Sequence, residues 1–338
     1  MLIAGAVCPH PPLLIPAALG SAAADPPAEL RKVAGAAAQA VSGLADARPD
    51  LIVVVGGGAA EREYDADASG GLHAFGVGVT VGPGEPVLPL SLTVGRWLLE
   101  RAGILAREEV PDPTAGLVGA GAELAGAGVG LTDETGAAPP AEAVDLAAET
   151  ADLPDKAAVP DEATVPDEAT VPPDVTAVLQ DVSAVPPDEA VSLPGAARGE
   201  AKVGGGAIPV VFQEVARNAA AGACLKLGRI LADRAPRVAL LAMGDACARP
   251  AREDPDVPDL AARDYDEEVA EALAAADARW LARLDPALDD ELVVAGRAAW
   301  QVLAGAARGA RMQGRLLCMS APYGVTYLVA SWEECRTD

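Results

Sequence analysis

Short apolar runs that each stop abruptly at proline or glycine narrow the possible folds of this chain more than any other feature. Residues 2–7 are followed closely by Pro9, residues 51–55 run into three consecutive glycines, and residues 237–243 run into Gly244. Runs that are apolar at nearly every position are typical of parallel strands buried on both faces. Between the first two runs, residues 27–47 are Ala-rich with apolar residues at helical spacing, which predicts a strand–helix–strand unit.

The same alternation continues along most of the chain and predicts an α/β fold. We expect a three-layer α/β/α domain with a mixed, mostly parallel central sheet. Asp25 and Ser91 are predicted to cap the first two helices. The further predicted elements are strands at 72–81, 207–212, 316–319 and 325–332, and helices at 91–100, 213–234, 264–284 and 287–308.

An acidic, repetitive segment at residues 132–200 interrupts this pattern. Val159-Pro-Asp-Glu-Ala-Thr164 is repeated directly as residues 165–170, and residues 133–200 hold 16 Asp or Glu against two basic residues, a balance of −14. Each repeat offers one valine for burial, which does not offset an ordering cost of about 1–2 kcal/mol per residue. We therefore predict a disordered insertion, tolerated or used as a partner-binding tether, within a single domain spanning residues 1–338.

The net charge of −25 bears on the possible partners. Nucleic acids and anionic membrane surfaces are bound through lysine and arginine, so neither is an expected partner. No apolar run approaches the roughly 20 residues that a membrane-spanning helix needs. Five widely spaced cysteines without a CxxC pair favour reduced thiols and a cytoplasmic location over disulfides or a structural zinc site.

Candidate functional residues lie just after the predicted strands, where open α/β sheets bind their ligands. His10 follows the first strand between two prolines, which suits either a rigidly held metal ligand or a histidine that caps a loop. Asp245 follows the strand at 237–243 and is either a proton acceptor or cation ligand, or a turn residue. His73, the second histidine, is expected on the surface.

The segment Val7-Cys8-Pro9-His10-Pro11-Pro12-Leu13-Leu14-Ile15-Pro16 resembles the opening of the class III extradiol ring-cleavage dioxygenase family, which includes the Memo-like proteins. Residues 49–55 resemble the family's second strand, residues 237–248 its central strand and loop, and residues 321–325 its closing segment. The resemblance thus spans most of the predicted globular part.

The resemblance implies Fe(II) held by two histidines and one glutamate, with a further histidine as acid or base. His10 corresponds to the first iron ligand, whereas the second histidine falls where this chain has Gly56, Gly57 and Gly58. The acid–base histidine corresponds to Ala248. The glutamate corresponds to Glu291 or, in an alternative alignment on Trp300, to Gly296.

Two functions follow as expectations. The family activity is Fe(II)-dependent cleavage of a catechol ring, here lost or altered because two histidines are missing. The alternative is a non-enzymatic scaffold that binds a ligand or partner in the same cleft. A small aromatic molecule and a second copy of the chain are both possible partners. A metal set of His10, Asp245 and His73 is the remaining enzymatic option.

Overall fold

The computed structural model describes residues 1–106, 199–203, 206–248 and 260–335, all of which belong to one compact unit. The predicted insertion lies outside these residues up to position 198. Its last two predicted positions, Gly199 and Glu200, instead begin a strand that pairs with residues 209 and 210.

The main sheet has eight strands, built largely from the apolar runs of the sequence. The strands are β1 (Leu2–Cys8), β2 (Leu51–Gly58), β3 (Arg62–Asp65), β7 (Gly199–Val203), β8 (Gly206–Ala216), β9 (Val238–Met243), β10 (Met312–Ser320) and β11 (Tyr327–Glu334). Seven of them follow one path in the order β10-β11-β1-β9-β2-β8-β3, and β7 also pairs with β8. A second, three-stranded sheet contains β4 (Ser69–Gly71), β5 (Thr80–Val81) and β6 (Pro86–Leu88).

The strand directions confirm a mixed sheet but correct one detail of the prediction. The four central strands β1, β9, β2 and β8 are mutually parallel, as their continuous apolar sequences indicate. The pairs β1–β11, β10–β11, β3–β8 and β7–β8 are antiparallel. Antiparallel pairs thus outnumber parallel ones, and "mostly parallel" holds only for the centre of the sheet.

Helices cover both faces of the sheet, which confirms the three-layer architecture. The helices are α1 (Ala28–Asp46), α2 (Leu90–Arg101), α3 (Ala221–Ala232), α4 (Leu260–Ala275), α5 (Ala278–Leu281), α6 (Pro286–Glu291) and α7 (Arg297–Ala306). One core packs α1 and α2 against alternate strand residues such as Ile52 and Val54. The other packs α3, α4 and α7 against residues such as Val53 and Val55.

Some predicted elements are wrong in detail. Residues 72–81 form a short 3-10 turn (His73–Phe75) followed by β5 rather than one strand, and residues 213–216 extend β8 rather than begin a helix. Neither Asp25 nor Ser91 caps a helix, because α1 and α2 begin after Pro27 and Pro89. The Ser91 hydroxyl instead donates a hydrogen bond to the carbonyl oxygen of Gly57 at 2.8 Å.

Candidate functional site

The carboxyl ends of β1, β9, β2 and β8 lie side by side, and we call this part of the sheet the carboxyl edge. It brings His10 and Asp245 together, because the strands that precede them, β1 and β9, are neighbours. The backbone N–H of His10 donates to Asp245 Oδ1 at 2.7 Å, and His10 Nδ1 lies 3.4 Å from the same oxygen. His10 is buried, and its Nδ1 makes no hydrogen bond among the described residues, so the ring and the carboxylate meet without the alignment of a hydrogen bond.

Two tyrosines complete the surroundings of Asp245. Tyr327 is buried at the start of β11, whereas Tyr323 in the preceding loop is exposed. Burial raises the pKa of Tyr327 to about 12, and the negative charge of Asp245 and the nearby Tyr323 act in the same direction. Tyr327 is therefore a neutral hydroxyl group beside a carboxylate at neutral pH.

The loop carrying Asp245 is held by backbone contacts with two other segments. The N–H of Ala295 donates to the carbonyl of Asp245, and Ala246 and Cys247 exchange hydrogen bonds with Thr326. Ala248, at the position of the family's acid–base histidine, pairs with Val325. These contacts fix the backbone on both sides of Asp245 but supply no imidazole.

Two of the three glycines at the end of β2 pack too closely against neighbouring side chains to carry a side chain of their own. A Cβ atom at Gly56 would lie 2.4 Å from Ser91 Oγ, and one at Gly58 would lie 2.0 Å from Glu214 Oε1. At Gly57 the closest atom would be Arg217 Cγ at 3.3 Å, which is tight but possible. The position of the family's second iron histidine is thus filled by neighbouring side chains at two of three residues.

Neither position considered for the glutamate ligand places a carboxylate beside His10. Glu291 is exposed at the end of α6. A Cβ atom at Gly296 would lie 2.2 Å from the ring of Trp300, and Gly296 also packs against Gly244. The alignment that places the family's glutamate at Gly296 therefore matches a position without room for that side chain.

The described part of the chain contains no group of three or more His, Cys, Asp and Glu side chains that could hold a metal ion. His73 is exposed in its 3-10 turn. The donors around His10 among the described residues therefore do not fit the two-histidine, one-carboxylate set that the resemblance implies for Fe(II). Cys8 does not supply a thiolate instead, because complete burial raises its pKa far above the ordinary range.

A second polar cluster at the carboxyl edge was missed by sequence reasoning. Glu214 is buried near the end of β8, where its Oε1 accepts hydrogen bonds from the N–H groups of Ala59 at 2.6 Å and Ala60 at 3.1 Å. Its Oε2 accepts from the Tyr64 hydroxyl at 2.6 Å. Burial and the hydrogen bond to Glu214 raise the pKa of Tyr64 to about 12, and the Arg62 guanidinium lies 4.8 Å from the centre of its ring.

A pocket of about 530 Å³ opens beside this cluster. Its polar lining is provided by Glu214, Tyr64 and Arg217, and its apolar lining by the strand and turn at residues 86–89. This volume is within the range of about 300–1,000 Å³ that is usual for small-molecule sites. The sequence does not predict this pocket, because the residues that line it come from four separate parts of the chain.

No protein-family model matches this chain, and a search of curated proteins returned no match. The resemblance to extradiol dioxygenases therefore remains a prediction from the motifs quoted above. Among the described residues, none of the helices combines the length and the apolar character that crossing a membrane requires.

Proposed function

We propose that this chain is a class III extradiol dioxygenase-like protein that does not cleave catechol rings and instead binds a small aromatic molecule at the carboxyl edge. The observation that carries this proposal is the donor set around His10. One imidazole and the adjacent Asp245 stand where ring cleavage requires two imidazoles and a glutamate.

The packing at the end of β2 supports the same proposal. Ring cleavage requires a second histidine there, but Ser91 and Glu214 fill the space beside Gly56 and Gly58. Proton transfer also lacks the family's histidine, since Ala248 occupies that position. Of the candidate groups, Asp245 remains as the one carboxylate beside His10, with an oxygen that already accepts the His10 backbone N–H.

The cleft nevertheless keeps features of a ligand site. It lies at the carboxyl ends of parallel strands, which is where α/β sheets bind their ligands. At the ends of β2 and β8 it also has an open pocket of about 530 Å³ in which Glu214 is held by hydrogen bonds. These features support the binding of a small molecule at the carboxyl edge.

Metal content and catechol-dependent oxygen consumption test the loss of catalysis. We expect the protein, purified and incubated anaerobically with Fe(II) before desalting, to retain far less than one iron per chain. Catechol and dioxygen should then produce no oxygen uptake above that of the His10→Ala variant. About one iron per chain, lost in His10→Ala together with oxygen uptake, would contradict the proposal.

Binding is tested separately with metal-free protein. Ligand-observed NMR with phenol and catechol should show saturation transfer to the aromatic protons. The absence of transfer from either probe at millimolar concentration would remove the binding half of the proposal.

A further inference from the structure

We infer that the pocket beside Glu214 binds a small monocarboxylate with an apolar body, and that Arg217 pairs with the ligand's carboxylate. The inference names a ligand class for the binding activity above and so rests on the proposed function. Its charged groups, Glu214 and Arg217, lie near or just after the end of β8 and belong to neither the His10–Asp245 pair nor a position that the resemblance assigns.

Arg217 is the basic group that lines this pocket. Its backbone N–H donates to the carbonyl of Gly58 and its own carbonyl accepts a hydrogen bond from Arg297, so its main chain is fixed on both sides. Its guanidinium makes no hydrogen bond or ion pair with the described residues. Arg217 is exposed, so its guanidinium can reach an anion that enters the pocket from solution.

Glu214 would oppose an anion if its charge were unscreened, but three protein donors already surround it. Two backbone N–H groups bind Oε1, and the Tyr64 hydroxyl binds Oε2. Hydrogen bonds of this kind disperse the negative charge and hold the carboxylate in one orientation. Glu214 is therefore a fixed, hydrogen-bonded part of the pocket wall. Arg217 is the charged group of the pocket that can bind a ligand.

The opposite wall is apolar and suits the body of the ligand. Pro86, Val87, Leu88 and Pro89 line the pocket consecutively. Val87 is 51% exposed, so its side chain has apolar surface that a ligand could cover. One guanidinium beside a proline-flanked apolar wall suits a molecule with a single negative charge at one end, while Glu214 is already bound by its own protein donors.

Benzoate and its neutral analogue benzamide test the inference by titration calorimetry on the full chain. We expect benzoate to bind at least about tenfold more tightly than benzamide, because a charge-assisted pair with Arg217 is lost in the amide. Arg217→Gln should weaken benzoate binding by about tenfold or more and leave benzamide binding nearly unchanged. Val87→Ser should weaken both ligands by a smaller factor.

Arg308→Gln is the matched control, since Arg308 is exposed, lies outside the pocket and carries the same charge. Its benzoate affinity should stay within twofold of the unmodified chain. Benzoate affinity that is unchanged in Arg217→Gln, or lowered equally in both arginine variants, overturns the inference. Equal affinity for benzoate and benzamide does so as well.

These outcomes are separate from a failure of the proposed function. Iron-dependent oxygen uptake lost in His10→Ala refutes the proposed loss of catalysis whatever benzoate does. Binding of phenol or catechol that is insensitive to Arg217→Gln, combined with no benzoate binding, refutes the monocarboxylate pocket and leaves the proposed function in place.

Discussion

Val293 has a backbone conformation that its side chain disfavours. Its φ is 55°, in the left-handed region, and its side chain is 54% exposed. A β-branched residue in this region is strained by about 1–2 kcal/mol, and an exposed side chain offers little packing in return. We expect Val293→Gly to raise the free energy of unfolding by about 0.5–1 kcal/mol, measured by urea denaturation.

Val87→Gly is the control for this measurement, because it replaces an exposed valine whose backbone is not strained. Val87 is similarly exposed but lies in β6 with an ordinary negative φ, so glycine relieves no strain there. This variant should lose about 0.5–1 kcal/mol, because glycine has more conformational freedom to lose on folding. A loss of stability in Val293→Gly as large as that in Val87→Gly would mean that the loop beside Ala248 needs the valine side chain.

Tyr327 makes the stability of the protein sensitive to alkaline pH. Its pKa in the folded protein is about 12, above the ordinary value of 10.0, so the folded state holds this proton more tightly than the unfolded state. The resulting stability is fully present below pH 10 and is lost as the pH rises towards 12. Urea denaturation at pH 9 and pH 11 gives the free energy of unfolding lost between the two pH values. This loss should be smaller by about 1–2 kcal/mol in Tyr327→Phe than in the unmodified protein. Equal losses in both proteins would contradict this assignment.

The end of β2 is the element at which packing decides the chemistry. A Cβ atom at Gly58 would displace Glu214 from three hydrogen bonds, whereas one at Gly57 meets only the side of Arg217 and a carbonyl oxygen at 3.4 Å. Gly58→Ala should therefore cost about 1–3 kcal/mol of stability and Gly57→Ala about 0.5 kcal/mol or less, measured by urea denaturation. Similar costs for the two variants would mean that Glu214 can move away from β2 without loss.

Elements with continuous apolar sequences are the predictable ones. The strands β1, β2 and β9 are recognisable because central parallel strands are apolar on both faces. The region around residues 72–81 is not recognisable from its sequence. Its glycine-rich segments form strands of only two or three residues, which pair in a separate small sheet. The helix predicted at 264–284 is divided in two, and Asp277 caps the second part by accepting N–H groups of Arg279 and Trp280.

At the scale of the whole molecule, strand order determines which site residues meet. The sequence places His10 and Asp245 each just after a strand, and the two residues meet because β1 and β9 are neighbours in the structure. The Glu214 cluster is not predictable from the sequence, because Tyr64 and Glu214 are 150 positions apart and meet only through the pairing of β3 with β8. Sequence spacing within one segment carries no signal for such a contact.

The acidic insertion leads to a prediction about the whole chain. Its repeats offer too little apolar surface to pack on a core, so deleting residues 135–198 should change the melting temperature by no more than about 2 °C. A deletion extended to residue 203 also removes β7, which pairs with residues 206–210 of β8, and should lower the melting temperature by more than about 4 °C. Thermal unfolding of both variants tests this: an equal, large drop would mean that residues before β7 also stabilise the folded domain.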